Sequence, residues 1–135
     1  MKRKSKVGPV RIARTHLGTM TDKIVVFVTC GTEEEAQKIA RALVARRLAA
    51  CVNLFSIPVH SIYRWKQKVE SAKEFLLTIK TSRNRFRAVA AEVKRLNSYD
   101  IPEIIALPIS AGSAEYLDWI SASVSESGAR KRKRR

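Results

Sequence analysis

The sequence predicts an α+β domain in which strands and helices follow one another as βαββαβ, with one more helix at the end. Three observations carry this prediction. The stretch "KIVVFVTC", residues 23–30, is a continuous β-branched and aromatic run, as in a strand buried on both faces. Two stretches, starting at Thr32 and at Ser82, repeat their apolar residues with the helical period. Between them lies a long strand-like stretch folded back on itself, which reads as a hairpin.

Each element has a local reason. After the first strand, Thr32 and Glu35 form a capping box, and Glu33 and Glu34 suit the positive end of a helix. Ala36, Ile39, Ala40, Leu43 and Val44 then lay one apolar stripe against a sheet, while Lys38, Arg41, Arg46 and Arg47 face water. From Ala49 to about Trp65 the chain is strand-like, interrupted by Pro58, which a strand tolerates at an edge or bulge. "KQKVESAK" reads as the polar turn and "EFLLTIKT" as the antiparallel partner. Ser82 is expected to cap a second helix carrying Phe86, Val89, Ala90, Val93 and Leu96. "IIALPIS" makes the fourth strand, and "SAEYLDWISASV" a closing helix. This order is the ferredoxin-like split βαβ arrangement. Its two right-handed crossovers put both long helices on one face of a four-stranded antiparallel sheet, with the long hairpin joining the second and third strands.

Charge is distributed unevenly. Residues 1–21 hold six bases and no acid, and Arg130, Lys131, Arg132, Lys133, Arg134 and Arg135 close the chain. The remaining fifteen bases face all twelve acids, so the formal charge of +15 belongs to the tails rather than the body. The expected organisation is a disordered basic extension at 1–21, a domain at 22–124 and a disordered basic tail at 125–135. Met20, just ahead of the first strand, is an alternative start for the domain. The tails leave weak nucleic-acid binding open as a separate reading, with the folded body as a scaffold.

No run approaches the roughly 18 apolar residues of a membrane span, and the basic leader lacks an apolar signal-peptide core, so no membrane role and a cytoplasmic location are expected. Two cysteines make no disulfide framework.

Few residues offer chemistry. The histidines are His16 in the leader and His60 in the hairpin, and neither forms a visible triad or a paired metal motif. Cys30 ends a buried strand and stands between a packed thiol and a ligand or redox group; Cys51 reads as the more buried of the two. Cys30 and His60 are therefore the metal candidates. Tyr63 and Trp65 alternate as on one strand face, which suits packing or subunit contact more than base stacking. Trp119, three residues after Tyr116, marks a docking face on the closing helix. In "NSYDIPEII", Pro102 biases Ile101 toward extended backbone and aims the apolar run into the sheet, leaving Tyr99, Asp100 and Glu103 at the strand's mouth.

The segments "FVTCGTEEEAQKIARALVARRLAACVNL", "SIYRWKQKVE", "EFLLTIKT", "YDIPEIIALPI" and "YLDWI" resemble, in order and spacing, the CutA divalent-cation tolerance proteins over about residues 23 to 122. The resemblance implies a ferredoxin-like subunit and a homotrimer similar in architecture to the PII signalling proteins. It also implies an association with tolerance of copper and other divalent metals, no known enzymatic reaction, and inter-subunit clefts able to take a metal ion or small ligand. It further implies copper ligands at positions occupied here by Val28, Leu96 and Asn97, so the family's histidines and cysteine are absent. The family's hairpin glycine is Gln67. Tyr63, Trp65, Tyr99, Asp100, Glu103 and Trp119 are the candidates for a cleft or subunit interface, the resemblance placing subunit contacts at the strand's mouth, and any cofactor it implies is a divalent metal ion such as copper.

Overall fold

The computed structural model describes residues 21–126 and the short strand Ile12–Ala13. Strand β1 (Ile12–Ala13) pairs antiparallel with β7 (Gly112–Ser113), so the extension expected to be disordered contributes one pairing. The main sheet is antiparallel in the order β3 (Cys51–Leu54), β5 (Lys68–Ser82), β2 (Lys23–Cys30), β6 (Ile104–Pro108), and β4 (Val59–Trp65) pairs with the far half of β5. Helices α1 (Glu33–Ala45) and α2 (Phe86–Leu96) provide the crossovers, and α3 (Ala114–Val124) follows β7.

Register decides which side chains meet. Val26 faces Ile79 and Ala106, and Val28 faces Leu77 and Ile104. Ile24, Val26, Val28, Leu77 and Ile79 pack with Ile39 and Leu43 of α1 and Val89 and Val93 of α2. Both long helices thus cover one face of the sheet. A second, smaller cluster joins Ala50 to Leu117, Ile120 and Val124 of α3.

Local chemistry fixes the element ends. The Thr32 hydroxyl accepts from Glu35 N at 3.2 Å, as the capping box predicts. At the other end of α1, Leu48 N donates to Leu43 O at 2.9 Å around Arg47, whose φ of 58° is the left-handed value usually given to glycine. The Arg47 guanidinium secures this turn by donating to Ser123 O at 2.9 Å. Glu92, buried in α2, pairs with Arg46 at the C-cap of α1 and with Arg95 one turn on, tying the two helices together.

Several expectations need correction. The hairpin turns at Lys66 and Gln67, with φ of 47° and 68°, rather than through 66–73. Two consecutive positive φ values make a two-residue hairpin turn without glycine, so β5 begins six residues earlier than "EFLLTIKT". The preceding strand is broken at residues 55–58 into β3 and β4. Ser82 precedes a short 3-10 turn and makes no side-chain cap. Cys30 is fully buried, whereas Cys51 is only partly so, reversing their expected order. His16, Met20 and Arg130 to Arg135 lie outside the described residues.

Candidate ligand cleft

The β4–β5 register places Ser61 opposite Ala72, Tyr63 opposite Glu70 and Trp65 opposite Lys68. Alternation then brings Ser61, Tyr63 and Trp65 to the side of the sheet that carries Glu74 and, across β5, Thr29. The loop from Ser98 to Glu103 crosses this side on its way into β6. Together they enclose a cleft of about 750 Å³, lined also by Ile62, Tyr99, Asp100, Ile101, Pro102 and Glu103. Five residues singled out from sequence therefore meet here: Tyr63, Trp65, Tyr99, Asp100 and Glu103. Trp119 does not line the cleft; its ring lies 5.4 Å from that of Tyr116 on α3.

Asn97 builds the loop. Its amide nitrogen donates to Thr29 O at 3.1 Å, and its Oδ1 accepts from Tyr99 N at 2.9 Å. The buried amide thus bridges the end of β2 and the loop, setting Tyr99 against Gly31. A Cβ at position 31 would stand 3.2 Å from the Tyr99 hydroxyl oxygen, so glycine is what allows the phenol so close. Behind the wall, Glu35 Oε1 accepts from Ser98 N at 2.9 Å, while its Oε2 is buried without a hydrogen-bond partner.

The electrostatics are those of a negatively biased site that is partly open to solvent. Burial raises the Tyr99 pKa above the usual phenol value, reinforced by hydrogen bonding to Glu74 and by that carboxylate's charge. Burial and the charge of Glu74 also raise Glu103. The Cys30 thiol is pushed up to about 12, first by burial and then by Glu35 and Glu74. It therefore stays protonated at neutral pH, unsuited to nucleophilic duty.

These residues do not fit a copper ion. Val28 is sealed in the core, Leu96 packs against it, and the Asn97 amide is committed to Thr29 and Tyr99. Cys30 is buried as a thiol, and His60 stands opposite Lys73 on the hairpin, out of phase with Ser61 and Tyr63. Among the described residues no three of His, Cys, Asp and Glu come together as a metal-holding group.

Glu74, Thr29 and Ser61 were missed as cleft residues. The signal was the register: with the turn at Lys66–Gln67, Glu74 falls opposite Val59 and in phase with Tyr63.

Residues 24–123 match the family model for the CutA1 divalent ion tolerance protein. The chain is 50% identical over 97 residues to the divalent-cation tolerance protein CutA of Thermus thermophilus, spanning 71% of this chain and 92% of that one. It is 47% identical to human Protein CutA over 75% of this chain and 58% of the human protein. The fold matches the solved structure described as the periplasmic divalent cation tolerance protein CutA from Archaeoglobus fulgidus, with a TM-score of 0.74, 42% identity, and coverage of 76% of this chain and 99% of that one. Model match, identity and fold agree: this chain belongs to the CutA1 divalent ion tolerance protein family.

Proposed function

We propose that this chain serves divalent-cation tolerance as a non-catalytic homotrimer, with the cleft between hairpin and loop as a ligand site near the subunit boundary. The observation that carries the assembly is the second face of the sheet. Val25 and Phe27 of β2 alternate away from the helices, in register with Leu107 and Ile105 of β6, and the two β6 residues remain 44% and 50% exposed. The hairpin adds Tyr63 at 43% exposure and Trp65 at 40% on the same side. An apolar sheet face of this kind is normally finished by a second layer, and closed cyclic symmetry supplies one without leaving a free edge. The names of the relatives supply the role: the Thermus thermophilus and Archaeoglobus fulgidus proteins are both called divalent-cation tolerance proteins.

Copper ligation at the family's positions is not part of this reading, because Val28, Leu96 and Asn97 supply no imidazole or thiolate. Native mass spectrometry of protein purified without chelator or affinity metal tests it. The expected species is a trimer; a monomer with a vacant cleft would contradict both halves of the proposal.

A further inference from the structure

Among the described residues, the cleft's lining contains Glu74, Asp100 and Glu103 together with the rings of Tyr63, Trp65 and Tyr99, and no lysine, arginine or histidine. The body of the chain carries fifteen Lys and Arg against twelve Asp and Glu, so a lining with three acids and no base is selective. Carboxylates alone would suit a hard metal ion, which requires several oxygens converging at about 2.0–2.6 Å. That convergence is missing, since no metal-holding group forms among the described residues. Aromatic faces beside carboxylates suit a different cation, one whose charge is spread over an alkylated nitrogen and whose carbon atoms lie against rings.

One further feature favours positive charge in this space. After burial, which acts first on each, the charge of Glu74 raises Tyr99, Glu103 and Cys30 toward their protonated forms.

We propose that the cleft binds a small organic ammonium ion, with Trp65 and Tyr63 against its carbon atoms and Glu74 facing its charge. The proposal rests on the reading of the cleft as a ligand site and names the class of ligand. The alkylammonium head is held by cation–π contact and by a carboxylate in a partly desolvated space, whereas a neutral molecule of the same shape gains only the contact with the rings.

The test is calorimetric titration of the full-length, natively assembled protein with tetramethylammonium and with butylammonium, against neopentyl alcohol as the neutral molecule of similar shape. At least one ammonium ion is expected to bind saturably, ten or more times tighter than the alcohol. Glu74→Gln should weaken that binding at least tenfold while native mass spectrometry shows the same assembly. Tyr63→Phe should retain it and Tyr63→Leu should lose it, with the wild-type assembly seen for both variants by native mass spectrometry. Equal binding of ion and alcohol, or ammonium binding unaffected by Glu74→Gln, would overturn the proposal. Copper(II) or magnesium bound in place of both ammonium ions, and lost in Glu74→Gln, would overturn the ammonium assignment but leave the cleft a ligand site. No binding by any of these solutes would overturn both.

Discussion

On the helix-covered face of the sheet, Val26, Val28, Leu77 and Ile79 have no exposed surface, and α1 and α2 close over them. On the other face the residues between them, Val25, Phe27 and Leu76, are only partly buried, and Ile105 and Leu107 are exposed. The same strands build both faces, so strand chemistry does not separate them. One face has its second layer within the chain, whereas the other has only α3 at the Ala50 end. The proposed trimer would cover this apolar face, and the hairpin bearing Trp65 extends the same unfinished surface.

Breaking the unfinished side should give the largest effect. Trp65→Ala is expected to weaken assembly by about 3–5 kcal/mol per site if the ring is fully covered in the oligomer. Sedimentation at falling protein concentration would read this as dissociation of a still-folded chain. The finished side should respond differently. Leu77→Ala leaves a cavity under α1 and α2 and should cost about 2–5 kcal/mol of folding stability. Urea denaturation should show that loss, while the folded fraction keeps its wild-type stoichiometry; dissociation ahead of unfolding would blur the proposed division.

The smallest effect sharpens the comparison through pH. Hydrogen bonding from Arg95, assisted by Arg46, holds the Glu92 carboxyl below its ordinary value of 4.5. A carboxyl depressed on folding contributes stability above its unfolded pKa and loses it as pH falls through the folded one. Wild-type stability should therefore decline below about pH 4.5, and Glu92→Gln should be less stable at pH 7 with a shallower acid-side decline. Parallel urea-midpoint profiles for the two proteins between pH 7 and pH 3 would show that this pair does not couple the helices. Assembly should be unaffected, because Glu92 lies in the helix layer.

The fold was legible because its strongest signals are local. The run at 23–30, the capping box at Thr32 and the apolar stripes of both helices each act within a few residues. The hairpin was harder, since Lys66 and Gln67 take left-handed geometry without the glycine or asparagine that would announce it. That displaced the turn and hid Glu74, whose position in the cleft depends on register. Tyr99, Asp100 and Glu103 could be found because Pro102 marks the strand entrance beside them. Asn97 could be seen only as a missing histidine; its bridge from Thr29 O to Tyr99 N joins positions far apart in sequence. Trp119 was expected, from its spacing to Tyr116, at a cleft or subunit interface; it does not line the cleft, and α3 packs on the separate Ala50 cluster.

The account turns on whether the second sheet face and the hairpin are covered by copies of the same chain. Sedimentation equilibrium of the full-length protein at micromolar concentration measures this most directly. The predicted result is a single species of three times the 15.2 kDa chain mass, converting toward smaller species in Trp65→Ala. A stable, soluble species of 15.2 kDa at that concentration would contradict it, because the exposed Tyr63, Trp65, Ile105 and Leu107 would then be an ordinary monomer surface.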